Sequence, residues 1–122
     1  MWTLSALVTY SRRGVMYKLV VFIPDASKEL VKNALFAAGA GSLGAYRQCS
    51  WECLGTGQFM PNESANPYVG RTGVVERVSE WRVEMLVPDS TVDAVKKALY
   101  LAHPYEEPAF DLFVVEEPSP RS

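Results

Sequence analysis

The sequence predicts an α+β sandwich of the ferredoxin-like type, with elements in the order β-α-β-β-α-β and both helices on one face of a four-stranded antiparallel sheet. Three observations carry this. The chain repeats itself: residues 18–39 and 82–103 align without a gap, 64 residues apart, with Pro24/Pro88, Asp25/Asp89, Val31/Val95 and Leu35/Leu99 among the identities. Each copy reads as an apolar β-rich run, a Pro-Asp break and then a helical pattern. A further strand pattern follows each copy. Two copies are too few for a solenoid, so they are the halves of one domain, and right-handed crossovers fix the topology.

Residues 1–15 have no clear period and include Arg12-Arg13-Gly14. They are expected to be a disordered extension or an upstream misread, with Met16 opening a domain over 16–116. Strand one is expected over 17–23 and helix one over 26–38, where Leu30, Val31, Ala34, Leu35 and Ala38 share a face. Asp25 follows a proline and is the expected N-cap, with Ser27 competing. Gly39, with Gly41 behind it, gives a left-handed stop. Strand two is expected over 45–54, with Cys49, Trp51 and Cys53 on one face and Gln48, Ser50 and Glu52 on the other, the pattern of a sheet packed on one side. A loop over 55–73 is longer than most connections, and such loops are mostly functional or disordered.

Strand three is expected over 74–87. It turns Trp81, Val83, Met85 and Val87 to the core and Glu80, Arg82 and Glu84 outward. Helix two is expected over 90–102, capped by Asp89, with Val92, Val95, Leu99 and Ala102 inward. It stops at His103-Pro104 instead of a glycine, and this divergence between the copies marks where function is to be sought. Strand four is expected over 109–115. Residues 117–122 form a polar tail expected to be disordered.

At 122 residues the chain is one domain, long enough to bury about 65% of its unfolded surface. Its 48% hydrophobic and 21% charged content is that of an ordinary globular protein. The net charge of −2 and the lack of a basic stripe argue against duplex nucleic acid as a partner. No apolar run approaches the roughly 20 residues of a membrane helix, and the N-terminus has no secretory pattern, so a cytoplasmic location is expected. Cys49 and Cys53, four apart in a strand, would lie about 13 Å apart, too far for a disulfide. They are expected to be reduced thiols.

Three stretches could carry chemistry. In His103-Pro104-Tyr105-Glu106-Glu107-Pro108, the single histidine and two glutamates are candidate ligands for a divalent metal ion, His103, Glu106 and Glu107 together. The competing reading makes His103 a cationic helix cap. In the loop, Gly55, Thr56 and Gly57 offer the elements of an anion nest, without the lysine and following helix of a phosphate loop. Asn66 and Tyr105 complete the candidate ligand-binding set. Trp51, Trp81 and Tyr46 read as core or interface aromatics. With one histidine and no base beside either cysteine, no catalytic constellation assembles, and a binding or assembly module is expected.

Taken together, residues 18–25 (KLVVFIPD), 34–41 (ALFAAGAG), 55–61 (GTGQF-x-P), 65–70 (ANPYVG), Glu80-x-Arg82-x-Glu84 and 103–111 (HPYEEPAFD) resemble the inserted domain of YqfO-type proteins, the bacterial branch of the NGG-interacting-factor family, here standing alone. That domain is similar in fold to CutA and to PII signalling proteins. The resemblance implies a homotrimer that binds a metal ion or small ligand at its interfaces, or that assembles with or caps a partner protein, with an accessory to a metal-dependent hydrolase as the third reading. The family's separate two-metal domain has no counterpart here, so its hydrolase-type activity is not carried over.

Overall fold

The computed structural model describes residues 15–116; the expectations for the extension at 1–14 and the tail at 117–122 lie outside the described residues. The elements are β1 (Met16–Pro24), α1 (Lys28–Ala37), β2 (Trp51–Phe59), β3 (Glu76–Pro88), α2 (Val92–Ala102) and β4 (Phe110–Val115). The sheet order is β2-β3-β1-β4 and every pairing is antiparallel. This is the predicted β-α-β-β-α-β sandwich.

The repeat becomes a pseudo-twofold. β1 and β3 are the two central strands, and their register sets Val20 opposite Glu84, its own counterpart 64 residues on. One face of each strand packs under the helices: Leu19, Val21 and Ile23 from β1, and Val83, Met85 and Val87 from β3. Val31 and Leu35 of α1 and Val92, Val95 and Leu99 of α2 close the core from above. Burying side chains of this kind stabilises by about 1.5–3 kcal/mol each, which outweighs any single cap or ion pair. Leu30 departs from expectation. It sits one step off the Val31–Leu35 seam and is 63% exposed.

Each helix is entered through a single 3-10 turn, Asp25–Ser27 and Asp89–Thr91. The main chain closes both turns, with Lys28 N–H donating to Asp25 O and Val92 N–H to Asp89 O, and neither aspartate caps its helix. Their carboxylates are used elsewhere. Asp25 Oδ1 accepts the Trp81 indole N–H at 2.6 Å, and Asp89 Oδ1 accepts the Tyr17 hydroxyl at 3.2 Å. The stop of α1 is as expected. Gly39 takes φ +118°, its N–H donates to Phe36 O, and Ala40 N–H donates to Leu35 O. A Cβ on Gly39 would fall 2.6 Å from Thr91 Cγ2.

β2 differs most from the sequence reading. It begins at Trp51, because 43–46 turn back on themselves with paired hydrogen bonds between Leu43 and Tyr46. It runs on through Gly55, Thr56 and Gly57 to Phe59. The apolar-looking face of this strand is also not the core face. Trp51 is 57% exposed, whereas Glu52 points to α1 and takes ion pairs from Lys28 and from Lys32 at 2.7 Å. Lys28 also lies 3.7 Å from the Trp81 ring centroid. An edge strand is thus held to its helix by charge. The hydrogen bonds from Lys28 and Lys32 hold the Glu52 carboxyl below its ordinary value. Among the described residues, Cys49 and Cys53 are free thiols, and no helix is long and apolar enough to cross a membrane.

Glu52→Ala removes one carboxylate from two part-buried ammonium groups, so a loss of about 1–3 kcal/mol is expected, measured by urea unfolding. Gly39→Ala meets both a positive φ and the Thr91 methyl, and a comparable loss of about 1–3 kcal/mol is expected.

Candidate functional site

The connection from β2 to β3, residues 60–75, is bonded to itself. Asn62 Oδ1 accepts from Ser64 N–H at 2.9 Å and from the Ser64 hydroxyl at 2.8 Å. Gly73 N–H donates to Pro61 O at 2.8 Å, and Pro61 is buried. The loop then reaches the turn after α2, where Asn66 N–H donates to Glu106 Oε1 at 3.1 Å. Between loop and turn lies a cleft of about 590 Å³. Phe59, Tyr68 and Tyr105 supply its aromatic walls, and Glu80, Glu106 and Glu107 its charge.

The turn is set by His103, which is 5% exposed. Its Nε2 lies 2.7 Å from Phe22 O on β1, and its Nδ1 accepts Tyr105 N–H at 3.2 Å. A carbonyl oxygen can only accept, so Nε2 carries the proton and the ring is neutral. Burial lowers the imidazole from its ordinary value near 6.5, against the opposing pull of Phe22 O. This departs from the metal reading of His103, and from the helix-cap reading in its charge only. Its two nitrogens are occupied, so it is not poised as a metal ligand, and among the described residues no three His, Cys, Asp or Glu side chains form a group that could hold a metal ion. The His103, Glu106 and Glu107 set therefore does not converge. His103 ends α2 through its main chain, by N–H to Leu99 O, and not as an imidazolium.

Tyr105 stacks obliquely on His103, with centroids 5.1 Å apart, and stands 6.2 Å from Phe59 and 6.3 Å from Tyr68. Its hydroxyl is buried beside the Glu80 carboxylate yet makes no well-formed hydrogen bond among the described residues. Burial, and then the negative charge of Glu80, push its pKa up to about 12. Burial also raises Glu80 from its ordinary value, against the opposing pull of the Tyr105 hydroxyl. Glu80 reaches this place because Gly57 has no side chain; a Cβ there would lie on the Glu80 carboxylate.

Of the expected ligand-binding residues, Tyr105 lines the cleft, together with Glu106 and Glu107 from the expected metal set, and Asn66 holds its loop through a backbone donor. Gly55, Thr56 and Gly57 do not form an anion nest. They are extended strand opposite Glu80, Ser79 and Val78, so their N–H groups alternate in direction instead of converging. Phe59, Tyr68 and Glu80 fall within the motifs that carry the family resemblance but not within the expected site residues. The signal for Glu80 was the strand period of β3, which turned it away from the core.

The neutral ring carries a pH dependence. Because the folded value is depressed, the unfolded chain takes up the proton first. The stability contributed by His103 is complete above about pH 6.5 and is lost as pH falls through the folded value. Thermal unfolding should show a midpoint that drops from pH 6.5 to pH 5. In His103→Ala that slope should flatten, at a cost of about 2–4 kcal/mol for the cavity and the orphaned Phe22 carbonyl.

No family model matches the chain. Over 101 residues, 83% of its length, it is 50% identical to a GTP cyclohydrolase 1 type 2 homolog from Mycobacterium leprae (strain TN), of which it covers 26%. The solved structure of a Bacillus cereus protein related to NIF3 matches with a TM-score of 0.73 at 41% identity, over 85% of this chain and 27% of that one. Two more distant structures share the fold alone. CutA of Archaeoglobus fulgidus, a divalent cation tolerance protein, matches at TM-score 0.58 and 14% identity, over 88% of this chain and 86% of that one. Bacillus subtilis GlnK matches at TM-score 0.54 and 15% identity, over 83% and 85%. The chain spans about a quarter of the length of the curated relatives it matches. It has the fold of CutA and GlnK, and over most of its length it is similar to about a quarter of the NIF3-related GTP cyclohydrolase 1 type 2 homologs.

Proposed function

We propose that the chain acts by binding, without catalysis, as a self-associating regulatory or sensor module whose ligand enters the cleft between the 60–75 loop and the 103–109 turn. One observation carries this: the buried Tyr105 hydroxyl makes no well-formed hydrogen bond among the described residues and faces a half-buried carboxylate in a cleft of about 590 Å³. Polar groups placed so are costly unless something binds them, and the volume is that of a small-molecule site. The one histidine is engaged through both nitrogens, which leaves no general base of that kind for hydrolysis.

Self-association is proposed as a homotrimer. Its support is that β2 and β4 are both edge strands carrying exposed Trp51, Leu54, Phe113 and Val114, and edges of this kind are covered in stable proteins. A second reading, a module that caps or assembles with a partner protein, is favoured by Met60 and Tyr68, which stand exposed on the lining of the cleft.

Native mass spectrometry of freshly purified protein tests assembly and ligand together. The expected mass is three times the 13.6 kDa chain. A monomer at micromolar concentration, confirmed by light scattering, would overturn the trimer.

A further inference from the structure

We propose that the cleft is a site for an organic cation, a guanidinium or ammonium group whose charge meets Glu80 and whose body lies against Phe59, Tyr68 and Tyr105. The proposal rests on the reading that the chain binds a ligand in this cleft, and it names the class of that ligand.

The charges decide the sign. Glu80, Glu106 and Glu107 line the cleft, and no lysine, arginine or histidine does. A phosphate or carboxylate entering there meets only like charge. Two other part-buried carboxylates of the sheet are neutralised within the chain: Glu52 by Lys28 and Lys32, and Glu84 by Lys18 and Arg82. Glu80 has no cation paired with it among the described residues. Glu106 is already tied to Asn66 N–H and Glu107 is exposed, which leaves Glu80 as the part-buried acceptor of the cleft.

The walls fit the same class. Tyr105 stands within 6.2 and 6.3 Å of the two other rings, centroid to centroid, and cations are attracted to such ring faces. The Tyr105 oxygen beside Glu80 is a second acceptor, and a guanidinium offers several N–H donors on one plane, enough to reach both. Gly57 makes room for this arrangement, since a Cβ at that position would occupy the place of the Glu80 carboxylate. That gives strand β2 a glycine whose backbone is ordinary extended chain, with its reason in the neighbouring side chain and not in its own φ.

The cation has two possible sources, a free small molecule or an arginine or lysine side chain presented by another protein. Calorimetric titration of the full chain separates them. Agmatine presents the guanidinium on a short free tail; the peptide acetyl-Gly-Arg-Gly-amide presents it on a main chain; ATP is the anionic comparison. Binding of agmatine, of the peptide or of both, weakened by added salt, supports the proposal, and the stronger of the two identifies the source. Glu80→Gln should weaken that binding at least tenfold. Gly57→Ala should weaken it comparably by pushing the carboxylate aside, with the thermal midpoint of each variant reporting that the fold is intact. ATP binding without either guanidinium overturns the cation assignment while leaving a binding cleft. No binding by any of the three overturns both. Unchanged guanidinium affinity in folded Glu80→Gln overturns the assignment as well.

Discussion

In each half of this domain one carbonyl on the central strand must find a donor beyond the reach of the neighbouring edge strand. The two are Phe22 O and Leu86 O, which stand 64 residues apart and are equivalent under the repeat. A part-buried carbonyl without a partner costs about 1–3 kcal/mol, so neither half can leave it open. The first half answers with main chain: after the glycine stop of α1, Gly41 N–H donates to Leu86 O at 2.8 Å. The second half ends its helix at His103-Pro104, and the imidazole donates to Phe22 O instead. The same need is met by backbone in one copy and by a side chain in the other. The side-chain solution fixes the 103–109 turn, and that turn is one wall of the cleft.

The fold was legible because it is written twice. Apolar spacing over 17–23 and 81–87, a Pro-Asp break and a 3.6 period recur, and core packing obeys them closely enough that Val31, Leu35, Val95 and Leu99 are all buried. What misled was local chemistry with a tertiary use. Asp25 and Asp89 look like caps, but 3-10 turns satisfy the helix starts from the main chain, and the carboxylates go to Trp81 and Tyr17. Gly55-Thr56-Gly57 looks like a loop because glycine is rare in strands; here one glycine yields its space to Glu80. The Cys49-Trp51-Cys53 alternation looks like a core face, yet the core-side position of β2 holds Glu52, and no period shows that two lysines on α1 wait for it.

The candidate site was legible only in part. The divergence at His103 pointed to the right turn, and Tyr105, Glu106 and Glu107 do line the cleft. Their roles were not readable, because which nitrogen of a histidine is occupied depends on a carbonyl 81 residues away. Phe59 and Tyr68 are brought together by the Asn62 turn and the buried Pro61, contacts internal to a stretch with no period at all. Over most of its length the chain resembles about a quarter of each larger relative.

The self-paired position at Val20 and Glu84 has a further meaning. Two half-length chains docked isologously would meet at that same point, so the domain is arranged as a dimer of halves joined by the 60–75 connection. In such an arrangement nearly every residue has a twin, and the twins are free to drift apart, as Gly39 and His103 have done. The axis is no exception. There valine faces glutamate, apolar against charged, so even at its centre the domain has given up strict symmetry. Lys18 and Arg82, themselves twins, both turn to the one carboxylate. A chain of fused halves can gather two cations on a single anion in this way. Two separate identical halves, each bringing the same residue to the axis, could not.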